Sequence, residues 1–126
     1  MAGETIHSGG RVLLGKLPAG VDLREFLEGV AARHGVRLGT VLALGAVERA
    51  AFAFLDQHSR RYQTVHLNEN LELLNLTGRV SWSGEEPELH AHVTLGDAEG
   101  HAFGGHLLPG TVIFAGEYWM QELLKR

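Results

Sequence analysis

The stretch ELHAHVTLGDAEGHAFGGHLL, Glu88 to Leu108, decides the fold, and it holds four of the eight histidines in the chain. From Glu88 to Leu95 apolar and polar residues alternate. Leu89, Ala91, Val93 and Leu95 face one way, and Glu88, His90, His92 and Thr94 the other. A β-strand turns alternate side chains to one face, so His90 and His92 stand side by side. Gly96–Gly100 reads as a five-residue hairpin loop, with a return strand beginning at His101. That loop places Leu95 opposite His101, His106 opposite His90, and Gly104 opposite His92. Three imidazoles then converge on one polar face, Gly104 clears space beside one of them, and His101, of the other parity, points away.

Three histidines without a fourth protein ligand form the pattern of an open zinc site, in which water or substrate takes the last position. Imidazole also suits copper, nickel or iron. The competing explanation is a solvent-facing strand that is rich in histidine and binds nothing. The chain contains no cysteine, which removes thiolate ligands and thiolate nucleophiles and leaves His, Asp and Glu to hold any metal.

Working outward, VDLREFLEGVAARHG carries Leu23, Phe26, Leu27, Val30 and Ala31 on one helical face. Asp22 is placed to cap it, with Glu25 three residues on, and Gly35 suits its exit. The remainder reads as strands: RVLLGKL, RLGTVLALGAV, RAAFAFLD, RYQTVHL, ENLELLNLTGRVSW (with Gly78 a bulge or bend), ELHAHVTL, HAFGGHLL and TVIFAGEYWMQEL. Many strands with one strong helix predict an α+β domain, a mainly antiparallel β-sheet sandwich with one or two flanking helices. Short loops and the absence of repeats predict a single domain over residues 1–126.

The chain of 126 residues has a net charge of −4, 44% hydrophobic and 21% charged residues, which is ordinary globular composition. Its longest basic run is Arg60–Arg61, so no phosphate-binding stripe is visible in the sequence. No run approaches the ~20 apolar residues of a membrane-spanning helix, and MAGETIHSGG lacks the features of a signal peptide. The expectation is a cytoplasmic protein with no membrane partner. No nucleotide-binding glycine loop or serine-hydrolase elbow is present. Strand alternation assigns Phe52, Phe54, Trp82, Phe103, Phe114, Tyr118 and Trp119 to the core or to a subunit interface rather than to a base-stacking surface.

ELHAHVTLGDAEGHAFGGHLLPGTVIFAGE resembles the signature of the PPC (plant and prokaryote conserved) domain: His-x-His, a spacer, then Gly-Gly-His. The pattern falls on His90, His92, Gly104, Gly105 and His106, with Gly104 and Gly105 shaping the site. GAVERAAFAFLD, LELLNLTGRVS and the capped helix extend the likeness over nearly the whole chain. The resemblance implies a PPC-like homotrimer, and zinc on those three histidines, as in several prokaryotic members. The open fourth position of a three-histidine site predicts an unidentified small molecule at the metal. Plant members carry DNA-binding Arg-Gly-Arg-Pro hooks, which this sequence lacks. A DNA-binding or transcription-regulatory protein acting through the trimer is therefore the alternative and is not favoured. The family often has a glutamate at the position of Glu117, which makes Glu117 the first candidate for a catalytic acid or base or for a partner of an imidazole. Glu72 and Glu88 are weaker candidates of the same kind, and His7, His34, His58 and His66 are expected to be structural or exposed.

Overall fold

Helix α1 (Leu23–His34) forms where the apolar spacing and both caps agree. The Asp22 carboxylate accepts from the Glu25 amide at 2.9 Å, while its other oxygen accepts from the Gly110 amide at 2.7 Å. One side chain therefore starts the helix and anchors a distant turn. Gly35 ends the helix in the left-handed region, at φ 65° and ψ 31°, and its amide points at the carbonyls of Ala31 and Ala32. Leu23, Leu27, Val30 and Ala31 are fully buried. Each such leucine or valine contributes about 1.5–3 kcal/mol of burial. Phe26 meets Tyr118 edge-on, with ring centroids 5.7 Å apart.

This computed structural model describes residues 3–126; Met1 and Ala2, part of the segment read for targeting, lie outside the described residues. The strands are β1 (His7–Leu17), β2 (Leu38–Asp56), β3 (Arg61–Leu67), β4 (Leu71–Ser83), β5 (Glu86–Gly96), β6 (Ala102–Leu107) and β7 (Val112–Lys125). They build one seven-stranded antiparallel sheet in the order β1-β7-β2-β4-β5-β6, with β3 on β2 and a further pairing of β2 with β6. Strands β2, β4, β5 and β6 therefore close into a ring. Of the one or two helices expected, a single helix forms among the described residues, and it packs chiefly on β5.

The two apolar runs before Asp56 are one strand of 19 residues, long enough to serve two sets of neighbours. Its first half pairs with β4 and β7, and its second half with β3 and β6. Gly45 and Gly116 face each other across β2 and β7 at φ 152° and 156°. A Cβ on either would run into the carbonyl of the opposite strand, so close backbone approach explains Gly116. Gly78 is not the bulge expected of it. The irregularity in β4 lies between Leu73 and Asn75, and Gly78 is regularly paired with Ala91. A Cβ there would come within 2.6 Å of Ala91 Cβ.

The core lies between α1 and the inward residues of the sheet, including Val41, Leu76, Val80, Leu89, Val93, Leu95 and Met120. Thr111 is buried with its hydroxyl satisfied: Oγ1 donates to the Ala51 carbonyl and accepts from the Ala51 amide, both at 3.0 Å. Of the aromatics, Phe52 and Tyr118 are buried, whereas Phe54 and Phe114 are exposed.

Candidate metal centre

Strand β5 alternates as its sequence dictates: Leu89, Ala91, Val93 and Leu95 are buried, and Glu88, His90, His92 and Thr94 are exposed. The Glu28 carboxylate of α1 accepts from the Leu89 amide at 2.9 Å, which ties the helix to the backbone one residue before His90. The hairpin register differs from the expected one by two residues. Gly96 pairs with Ala102 and His92 with His106, so His106 opposes His92 and not His90. The loop is Asp97–His101, fixed by the Asp97 carboxylate, which accepts from the amides of Glu99 and His101, both at 2.9 Å.

A shift of two preserves parity, and the three imidazoles still share a face. Ring centroids lie 5.7 Å apart for His90 and His92, 5.4 Å for His90 and His106, and 4.4 Å for His92 and His106. One ligating nitrogen from each lies within 4.8 Å of the other two. Tetrahedral zinc with bonds of about 2.0–2.1 Å separates its nitrogens by about 3.4 Å, which falls inside the 4.8 Å within which these nitrogens gather. The residues present thus fit a metal ion in number, donor type and direction. Burial, then the neighbouring His92 and His90, hold the His106 pKa below the ordinary imidazole value. That favours the neutral form, which is the form that ligates.

The glycines have a different cause from the one expected. Gly104 opposes Thr94, not His92, and a Cβ there would collide with the Val93 carbonyl of β5. A Cβ on Gly105 would collide with the Ala53 carbonyl of β2. The pair lets β6 lie tight against both neighbours, and this closure brings His106 to the site.

His101 is 69% exposed and points away from the triad, as expected, but it belongs to the loop and is held there by Asp97, with Nδ1 and Oδ2 3.0 Å apart, rather than by strand parity. Asp97, Glu99 and His101 also converge, but the Asp97 oxygens are engaged by the loop's own amides and by the His101 ring. Glu117 does not adjoin the hairpin. It sits on β7 between Lys16 and Leu44, and β2 and β4 separate it from β5. At about 4.8 Å per strand that is roughly 14 Å along the sheet. The topology, which inserts β7 between β1 and β2, causes the separation. Glu72 pairs with Gly96 away from the triad. Glu88, in contrast, shares with His90 and His106 a cavity of about 280 Å³ that Arg24, Tyr62, Thr64 and Leu107 also line.

Two neighbours of the triad carry no local signal in the sequence. Tyr62 lies edge-on to His106, with centroids 5.1 Å apart, through the joint pairing of β3 and β6 with β2. Arg79 stands directly across from His90 on β4. The sheet register that makes them neighbours is set by distant strands.

A family model described as the Plants and Prokaryotes Conserved (PCC) domain matches residues 4–124. Among solved structures, a plant- and prokaryote-conserved protein of Pyrococcus horikoshii is 30% identical with a TM-score of 0.92, covering 99% of this chain and 87% of its own. A metal-containing protein of Archaeoglobus fulgidus is 32% identical, also at 0.92, covering 99% and 88%. A protein of Ralstonia eutropha, named as a candidate DNA-binding protein, is 27% identical at 0.76, covering 87% and 76%. Bifunctional GlmU proteins of two Synechococcus strains are 36% and 35% identical over 100 residues. That alignment takes in 79% of this chain and only 15% of theirs.

Proposed function

This chain belongs to the Plants and Prokaryotes Conserved (PCC) domain family, and from that premise we propose that it is a metal-binding protein. His90, His92 and His106 hold a zinc ion and leave one position open for a small molecule. The observation that carries this reading is the convergence of three imidazole nitrogens within 4.8 Å on adjacent strands. Random histidines on an exposed face spread along it, whereas these three point at one another. The Archaeoglobus relative, named as metal-containing, supports it. When bound, the metal polarises a substrate oxygen or lowers the pKa of bound water toward about 7. No carboxylate among Glu117, Glu72 and Glu88 is within hydrogen-bond distance of a triad nitrogen among the described residues. Glu88, not Glu117, is the carboxylate that shares the cavity.

The working form proposed is a homotrimer. Val12, Leu14, Leu42, Leu44 and Leu74 are 44–68% exposed, and with Trp119 they make one apolar face. An exposed apolar patch of this kind marks an interaction surface. The alternative, a DNA-binding regulator acting through the trimer, rests on the naming of the Ralstonia relative; the charge of −4 per chain opposes it.

Elemental analysis of protein purified without a histidine tag tests the metal reading. Zinc near one ion per chain, lost in His90→Ala and His92→Ala with the fold retained, is the expected result. Trace metal that those substitutions leave unchanged overturns it. Tight, salt-sensitive gel shifts by metal-stripped protein favour the DNA reading instead.

A further inference from the structure

Two rows of side chains cross the outer face of the sheet and end at the histidines. One runs Leu14, Trp119, Leu42, Thr77, His92, His106; the other runs Val12, Gln121, Thr40, Arg79, His90. Thr77 and Arg79 are thus the β4 neighbours of the His-x-His pair, with directly opposed Cβ atoms about 4.5–5.5 Å apart. A groove of about 190 Å³ between the two strands is lined by Thr77, Arg79, His90 and His92.

The charges around the triad are uneven. Arg24, on the other side, donates from Nε to Glu28 at 3.2 Å and shares a groove with Glu28, Glu86 and Glu88, so its charge is offset. Arg79 is exposed and forms no ion pair among the described residues. Three neutral imidazoles leave a divalent metal with its full double charge, which a carboxylate ligand would have reduced. A guanidinium in the next strand adds a planar fork of donors suited to carboxylate or phosphate oxygens.

We infer that the open position takes a small oxyanion, a carboxylate or a phosphate, and that Arg79 is its second anchor. One oxygen meets the metal and another accepts from the Arg79 guanidinium. This rests on the metal reading above. Thr77, whose hydroxyl donates to Asn75 Oδ1 at 3.3 Å, borders the same groove. Arg79 is a specificity-determining residue: it selects anions over neutral ligands of equal size.

The test uses untagged protein loaded with Co(II), whose visible absorption reports the ligands of the metal. Acetate, inorganic phosphate and imidazole are titrated separately at constant ionic strength into wild type, Arg79→Gln and Arg79→Lys. Acetate, phosphate or both should bind wild type and bind Arg79→Gln about tenfold or more weakly. Arg79→Lys should lie between, and imidazole affinity should be unchanged. The stronger of the two anions identifies the class as carboxylate or phosphate. Equal anion affinity in wild type and Arg79→Gln, no anion binding to wild type, or an equal loss for imidazole each overturns the inference. Failure of wild type to take up Co(II) sinks the metal reading first, and the inference with it.

Discussion

His106 lies directly across the β5–β6 ladder from His92, and their rings meet nearly at right angles with centroids 4.4 Å apart. Burial and the neighbouring imidazoles lower the His106 pKa from its ordinary 6.5. The folded chain therefore takes up this proton less readily than the unfolded chain. As pH falls below 6.5 the unfolded state gains the proton first, and stability declines through the lowered folded value. Metal binding excludes the same proton, so retention falls in the same window.

The thermal midpoint of metal-free protein should be level above the imidazole range and fall below it. His106→Gln should flatten that fall, and zinc should dissociate from wild type over the same interval. A midpoint that rises on acidification through that interval would contradict the assignment.

Alanine at Gly104 or Gly105 should be among the most damaging small substitutions in the chain. Each new Cβ meets a backbone carbonyl, of Val93 or of Ala53, and neither strand can retreat without opening the ring. Overpacking of this kind costs about 1–3 kcal/mol or more, readable as a lower urea midpoint together with weaker metal binding. Gly29→Ala is the contrast. It lies inside α1 with nothing nearer to the new Cβ than Arg33 Nη1 at 3.9 Å, so helix propensity should raise stability by up to about 1 kcal/mol. Similar losses at Gly104, Gly105 and Gly29 would show that the closure of β6 is not what requires glycine.

The fold is most legible in the sequence where the physics is local. The helix was legible because spacing, Asp22 and Gly35 all agree, and the triad was legible because a face depends only on parity. The register was not: the Asp97 carboxylate collects the loop's amides and moves the closing pair from Leu95–His101 to Gly96–Ala102. A slip of two leaves every face intact, so the histidines share a face in either register and only their partners differ. Arg79, Tyr62 and the remoteness of Glu117 follow from strand order, which no window of sequence encodes. Gly104 and Gly105 stand out as glycines in the sequence, but the reason for Gly105 lies in β2, some 50 residues away at Ala53, while that for Gly104 is the Val93 carbonyl of its own hairpin.

A lysine at Leu42 should separate the subunits of the proposed trimer without unfolding them. Leu42 is 49% exposed between Trp119 and Thr77, so a longer polar side chain is accommodated in one copy. At an interface the same change removes the remaining half of the leucine's burial, about 1 kcal/mol per site, and places a charge there. Light scattering should find three chain masses for wild type and one for Leu42→Lys, with unchanged circular dichroism. A variant that stays trimeric, or a wild type that is monomeric, rules this face out as the contact.

Acid should act through Glu122, a nearly buried carboxylate on β7. Arg11 donates to it from its amide and Nε at 3.1 and 3.0 Å on Oε1 and from Nη2 at 3.0 Å on Oε2, and the same Nη2 donates to the His34 carbonyl at 2.6 Å. One guanidinium thus joins the edge strand, β7 and the end of α1. Hydrogen bonds from Arg11, more than its charge, hold the Glu122 pKa down to about 2 from an ordinary 4.5. A lowered carboxylate pKa gives stability that is complete above 4.5 and is lost as pH falls toward about 2. Glu122→Gln should therefore be less stable than wild type at neutral pH and should lose less on acidification, so that their urea midpoints converge near pH 2. Parallel curves across that range would show that the pair does not couple acid to unfolding. Arg11→Ala should narrow the same gap, because it removes the guanidinium donors and leaves the carboxylate and the backbone amide at position 11 in place.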